Sequence, residues 1–546
     1  MAETDGPTGR VALIGLDGAT YRVLDPLIQA GVMPATARLI ERAGTAILRS
    51  TIPTYTPPGW VSMATGVNPG RHGVFGFLAS NPQERARIAH SGSIDCLPLW
   101  RYIDQLGLRS GIFNVPMSYP PRPLNGFMVS GGLAAGWTNT EMPNFTSDPA
   151  IGQTILKLSD GHYPLDTVVS YENDWRDTAA LSRLEEVQRL RRKVLGHLLE
   201  HSDVDLVFAV FEGPDRLQHL YYQYILDGSE WVARPEAPHV REGVFDYFAE
   251  LDHAIDDLVG WAGTDGHVML VSDHGFGPWE KTLNLNLLLE NWGYTKLPSI
   301  GRITQSRLVA GAGQRMARRV LPRRMLQAAK ARVGRDIDWD NTRAFASHVA
   351  EQGIHINAKD ELPKGILNAQ EATRSENEIV ERLHSLVDPD DGKPVVDRVV
   401  RRAEVIHGPH TARAPHLFPF CRDQRYELSD TLAATGVLSD HRDRPWGYHH
   451  IDGVFIAAGP NVVRGRLSDP LEIVDVLPTM FHLAGLKVPQ ELDGRVVTEL
   501  IGGEAARRPV IMADEGPEQR RSDDYPYSPE DEAMIEESLR GLGYLE

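Results

Sequence analysis

Val11-Ala12-Leu13-Ile14-Gly15-Leu16-Asp17-Gly18 is a short apolar run that stops at an aspartate and a glycine. Two later stretches end the same way: Leu206-Val207-Phe208-Ala209-Val210-Phe211 leads to Asp215, and Val268-Met269-Leu270-Val271-Ser272 stops at Asp273. Short apolar runs bounded by turn residues read as strands of a parallel sheet, buried on both faces. Ligands of such sheets bind in the crevice beyond the carboxyl ends of the strands. Three aspartates far apart in sequence are therefore expected in one small volume. His219 follows Asp215 by four residues and His274 follows Asp273 directly, which adds imidazole to carboxylate. That mixture of side chains outlines a metal site.

Helical periodicity between the runs supports an α/β chain. Leu181, Leu184, Val187, Leu190, Val194, Leu195 and Leu198 lie at helical spacing within 177–202, and 241–262 forms a second such helix. A helix over Val23–Ala43 and a short one from Pro57 are also expected, with strands over Leu108–Pro116, Gly126–Gly132 and Gly453–Gly459. At 546 residues the chain is too long for one minimal core. The expected organisation is a catalytic core over 1–278 and 436–510, a basic helical insertion or cap over 279–345, a smaller α/β segment over 346–435, and an acidic tail over 511–546. The insertion carries Arg302, Arg307, Arg315, Arg318, Arg319, Arg323, Arg324, Lys330, Arg332 and Arg335 with no acidic residue among them. It reads first as a solvated helical face and otherwise as a cap that attracts an anionic substrate.

A net charge of −18 argues against general nucleic-acid binding, which needs clustered Lys and Arg. It leaves room for a small phosphorylated substrate, because a local metal charge can overrule the global field. The opening residues are polar and acidic and the first apolar run is far too short for a bilayer, so neither a signal peptide nor a membrane span is expected. Two cysteines, Cys96 and Cys421, give no disulfide framework. The expected compartment is the cytoplasm, and the oligomeric state is open.

Asp215 and His219 at i and i+4 share one helix face, so one ion can take both. Asp273 and His274 are adjacent and point apart, and Asp17 completes a second set. A further histidine is needed late in the chain, with His449 and His450 as candidates. Thr56 stands before Pro57, a good first helical residue, so its hydroxyl is expected at a helix N-cap, where the dipole favours an alkoxide and binds phosphate. A threonine is a weak nucleophile alone, and a metal lowers its pKa enough to attack. General acid–base catalysis gives roughly 10²–10⁴-fold, whereas phosphate-ester hydrolysis can need nearly ~10²¹. Two metal ions about 3.5–4 Å apart can close that gap.

Together these pieces resemble the alkaline phosphatase superfamily, in its type I phosphodiesterase/nucleotide pyrophosphatase branch and near cytoplasmic phosphohydrolase/phosphomutase-like members. The matching motifs are Leu16-Asp17-Gly18, Thr56-Pro-Pro-Gly-Trp60 through Thr65-Gly66, Asn68-Pro-Gly-Arg-His-Gly73, Pro214-Asp215-Arg-Leu-Gln-His219, Ser272-Asp273-His274-Gly275, His449-His-Ile-Asp-Gly453, and Asp475-Val-Leu-Pro-Thr479 with Asp493-Gly494. They follow the family's order along most of the chain. The resemblance implies a three-layer sandwich with a mainly parallel central sheet and inserted cap segments. It implies Thr56 as nucleophile, one metal on Asp17, Thr56, Asp273 and His274, and another on Asp215, His219 and His449. It selects His449 over His450, and implies two zinc ions with manganese as the alternative. Nucleotide pyrophosphatases carry a phosphate-contacting asparagine where this chain has Gly76-Phe77, which weakens a nucleotide preference. A sulfatase is excluded, since Cys96-Leu-Pro-Leu-Trp100 lacks the required arginine and lies off the nucleophile position.

The expected activity is phosphodiester or pyrophosphate hydrolysis through a phosphothreonine, with Trp60 and Phe77 as an apolar wall for the second substituent. The rival on the same fold is a phosphomonoesterase or phosphomutase. The rival of another class is a non-catalytic metal-binding or sensor protein.

Overall fold

A computed structural model describes residues 7, 9–78, 83, 87–131, 145–165, 178–297, 337–432 and 434–513, with positions 527, 532, 535 and 536. Along the chain, β1 (Val11–Leu16) is followed by α1 (Tyr21–Gln29), α2 (Pro34–Glu41), β2 (Gly44–Arg49) and α3 (Thr56–Thr65). Next come β3 (Ser110–Val115), β4 (Gly126–Ser130), α4 (Ala179–His201), β5 (Leu206–Phe211), α5 (Gly213–Ile225), α6 (Ala237–Ala262) and β6 (His267–Val271). The expected helix over Val23–Ala43 is two helices. Gly31 takes a positive φ of 74° and Pro34, lacking an N–H, opens the second.

The central sheet is ordered β2, then Asp452–Ala458, β6, β1, β5, β3, β4, with short strands Gly465–Arg466 and Leu471–Glu472 on the outer side of β2. Every pairing is parallel except those of Asp452–Ala458, which runs against both β2 and β6. Alternation along β1 divides the core into two layers. Ala12, Ile14 and Leu16 join the helices α1, α2, α4, α5 and α6 on one face. Val11 and Leu13 join Trp60 and Met63 of α3 and the helix Val476–Leu483 on the other. This is a three-layer α/β sandwich, as the sequence indicates.

The smaller α/β segment, expected over 346–435, draws on residues on both sides of that range. β7 (Gly275–Pro278) leads to β8 (Lys281–Asn284), which pairs with Tyr426–Ser429 and Leu438–Asp440 to form a separate small sheet. Leu283, Leu285 and Leu289 share a core with Ile354, Ile379, Leu417 and Leu428. The first residues of the expected cap therefore belong to the smaller lobe, whose sheet closes with strands some 150 residues apart. The arginine-rich stretch from Arg302 to Arg335 lies outside the described residues, as does most of the acidic tail. Among the described residues, no helix is long and apolar enough to cross a membrane.

Candidate metal centre and nucleophile

Three neighbouring strands deliver the three aspartates. Asp17 follows β1, Asp273 follows β6, and Asp215 lies in the first turn of α5, directly after β5. His219 is one helical turn beyond Asp215. His449 comes from the strand Gly447–His450, which pairs antiparallel with β7 and sets His449 opposite Phe276. The Phe276 ring lies 4.8 Å from that of His219 and 5.5 Å from that of His449, and forms an apolar support for the imidazoles. Every one of these groups is buried.

Each carboxylate binds the protein through one oxygen. Trp60 Nε1 donates to Asp17 Oδ2 at 3.1 Å, Gly18 N–H to Asp273 Oδ1 at 3.2 Å, and Arg216 Nη1 to Asp215 Oδ2 at 3.0 Å. The second oxygens meet the imidazoles. Asp215 Oδ1 lies 3.3 Å from His219 Nε2, 3.2 Å from His449 Nε2 and 4.0 Å from His274 Nε2. His274 Nε2 is 3.5 Å from Asp17 Oδ1, 3.3 Å from Asp273 Oδ2 and 3.4 Å from Thr56 Oγ1. The imidazoles are oriented from behind, with His274 Nδ1 3.1 Å from Gly275 O and His219 Nδ1 3.2 Å from Gly447 O. A carbonyl only accepts, so Nδ1 carries the proton and Nε2 turns a lone pair inward, the usual arrangement behind a metal-binding histidine.

Two groups could therefore hold a metal ion: Asp215, His219 and His449, and Asp17, Asp215 and His274. Asp215 belongs to both. In the first group the three atoms are 3.1–3.3 Å apart, close to the ~3.3 Å between ligands about 2.0 Å from one tetrahedral ion. Asp17 Oδ1 and Asp273 Oδ2 are buried and accept no hydrogen bond, a costly arrangement for a carboxylate unless a cation faces it. Burial, then Asp273 and Asp215, push the Asp17 carboxyl well above its usual range; burial and Asp215 do the same to Asp273 against the Gly18 hydrogen bond. Burial alone would raise Asp215, yet His219, His449 and Arg216 hold it well below. Burial and His449 press His274 well below the ordinary imidazole range, leaving it neutral and able to ligate. The donor set fits two hard or borderline divalent cations.

Thr56 is the first residue of α3, and the cap position belongs to Tyr55. Its hydroxyl still sits at the helix start beside His274. His450 points away from the cluster, its Nε2 3.4 Å from Asp423 Oδ1. Trp60 does not line a pocket. It has no exposed surface and clamps Asp17 from below, so the apolar wall expected of it is absent. Phe77 is also largely buried, with its ring 5.9 Å from that of Tyr55. The Trp60 clamp had a signal in the sequence: Gly15 interrupts an apolar strand, and a Cβ there would collide with the Trp60 ring. The Arg216 contact had none beyond its place next to Asp215.

The profile of a family described as type I phosphodiesterase / nucleotide pyrophosphatase matches residues 11–417. No curated protein matches the chain. Phosphonoacetate hydrolase from Sinorhizobium meliloti 1021, solved in complex with phosphonoformate, superposes with a TM-score of 0.52 at 16% identity, covering 88% of this chain and 97% of that one. At that identity the likeness is one of fold. Murine ectonucleotide pyrophosphatase / phosphodiesterase 5, solved as an inactive variant with AMP, gives a TM-score of 0.49 at 13% identity over 90% of this chain and 100% of that one.

Proposed function

The chain belongs to the type I phosphodiesterase / nucleotide pyrophosphatase family, and from that membership we propose a two-metal phosphoester hydrolase that works through a covalent phosphothreonine on Thr56. One observation carries the reading: the Thr56 hydroxyl stands 3.4 Å from His274 Nε2, at the edge of two buried groups of potential metal ligands that share Asp215. Asp17, Thr56, Asp273 and His274 would hold one divalent ion, and Asp215, His219 and His449 the other, with zinc or manganese suited to this mixed ligation. Bound there, the ions supply the charge that lowers the threonine pKa and offsets the negative phosphoryl oxygens.

The protein's own part is attack and alignment. Thr56 Oγ1 gives up its proton and forms a bond to phosphorus as the bond to the leaving-group oxygen breaks, and that oxygen departs on the opposite side and takes up a proton. Water then attacks phosphorus, Thr56 is released, and phosphate or a phosphomonoester leaves. Trp60, Gly18 and Arg216 fix the orientation of the three carboxylates, so little reorganisation is left for the reacting step. The substrate is a small phosphorylated molecule with a diester or pyrophosphate linkage, in keeping with the family description. A cytoplasmic setting is supported by the two free cysteines.

The test compares bis-p-nitrophenyl phosphate with p-nitrophenyl phosphate on protein loaded with zinc or manganese. Diester turnover that disappears in Thr56→Ala at unchanged metal content is the expected result. Monoester preference would reassign the enzyme as a phosphatase or mutase. Equal, negligible turnover in both proteins would favour a metal-binding sensor.

A further inference from the structure

A side chain of the smaller lobe hydrogen-bonds the loop before Thr56. Gln352 Oε1 accepts the Thr54 N–H at 2.9 Å, across 298 residues of sequence. The backbone of Thr54 is also an electrostatic neighbour of the His449 imidazole, so a single peptide segment lies between Gln352 and a ligand of the candidate metal centre. The approach is close elsewhere too. A Cβ on Gly76 would lie 3.0 Å from the Ala350 Cβ, so this part of the lobe packs tightly against the core.

Gln352 is held stiffly. It closes the turn Val349–Glu351 in the left-handed region, at φ 49° and ψ 35°, and its N–H bonds Val349 O. A non-glycine residue there carries backbone strain that the surroundings must impose. The Glu351 carboxylate, buried beside it, binds the Ser347 hydroxyl and lies 2.8 Å from His355 Nε2, which pins the base of the turn. The turn therefore presents one carboxamide to the loop that carries Thr56.

The polarity of that carboxamide is fixed. Its acceptor is taken by Thr54, and its Nε2 donates to no described residue. The Thr54 N–H occupies the oxygen end of the carboxamide, which leaves Nε2 as the end that offers donors to a ligand, and ionised phosphoryl oxygens are acceptors. We propose that Gln352 is a substrate-contacting residue whose Nε2 donates to a phosphoryl oxygen of the ester attacked by Thr56, so that the inserted lobe supplies part of the phosphoryl site. This rests on the hydrolase reading given above.

Two substitutions separate contact from support. Gln352→Glu keeps an oxygen for the Thr54 N–H but replaces the donor by a second, anionic oxygen. Gln352→Ala removes both. Contact with the phosphoryl group predicts that Glu is the more damaging, with kcat/KM for bis-p-nitrophenyl phosphate down about 10²-fold against about tenfold for Ala, mostly in kcat. Calorimetric titration of the metal-loaded proteins with inorganic phosphate should show weaker binding in both variants, at wild-type metal content and thermal midpoint. A Glu variant that behaves as wild type beside an impaired Ala variant would mean that Gln352 only holds Thr54, and would overturn the proposal. So would wild-type kinetics and phosphate affinity in both, or losses that track lost metal. If wild-type protein turns over neither ester, the hydrolase reading falls and the phosphate titration still decides: weaker binding in the variants upholds the contact, and unchanged binding or no binding at all overturns it.

Discussion

Trp60 donates its indole N–H to Asp17 Oδ2 and so settles which oxygen of that carboxylate faces the crevice. Removing one partner of a buried hydrogen bond costs about 1–3 kcal/mol, and losing an outer partner of a metal ligand typically weakens metal affinity about 10–100-fold. Trp60→Phe keeps a ring in the core and removes only the donor. Its metal affinity should fall within that range while the fold persists, as a competition titration with a chromophoric chelator would show. At this scale the sequence exposed the candidate ligands better than what supports them. Asp17, Asp215, His219, Asp273 and His274 stand out because strand ends and helical spacing label them. Trp60 and Arg216 act through neighbours that only the folded chain defines, and an indole in an apolar helix looks the same whether it packs or clamps.

Among elements, α3 matters most for the proposed mechanism, because the proposed nucleophile Thr56 begins it and Gly59 lets it approach the strand end at Asp273. A Cβ on Gly59 would lie 2.9 Å from the Asp273 Cβ. Alanine is the better helix former by about 1 kcal/mol, yet it would wedge α3 away from Asp273. A displacement of about 1 Å can cost on the order of 10²-fold in rate. Gly59→Ala should therefore lower kcat by about that factor with metal content nearly unchanged, measurable by steady-state kinetics beside elemental analysis. In the smaller lobe, Lys281 of β8 reaches Asp388 at 2.7 Å, and the Tyr426 hydroxyl also bonds that carboxylate. Burial alone would raise the Asp388 pKa, but these partners bring it down to about 2 from 3.8. The folded lobe thus binds fewer protons than the unfolded chain. The stabilisation is complete above about pH 4 and fades as the pH falls through about 2. Asp388→Asn should be less stable than wild type at pH 7 by about 1–3 kcal/mol, and the gap should close toward pH 2 in denaturant titrations. The buried parallel strands were legible because they are apolar on both faces. The lobe boundary was not, because β8 is four residues long and finds its partners only at 426–429 and 438–440.

For the whole molecule, the centre joins parts of the chain that begin at residue 17 and end at 449, so an ion bound there ties distant segments together. A ligand present at about 100 times its dissociation constant adds about 2.7 kcal/mol to folding stability. Stripping the metal with a chelator should lower the thermal midpoint, and readding zinc or manganese should restore it; a calorimetric scan checks both. The three-layer arrangement was visible in the alternation of strand and helix, whereas the order of strands was not, since one strand of the sheet runs against the rest. That strand, Asp452–Ala458, fills the position between β2 and β6 after the inserted lobe has intervened. During synthesis the ribosome makes β1 to β6 and the whole inserted lobe before this strand appears. Until then β6 has no partner on that side and His449 is absent from the centre. An interrupted message would thus yield a protein with an open, apolar sheet edge, an invitation to pair with another nascent copy.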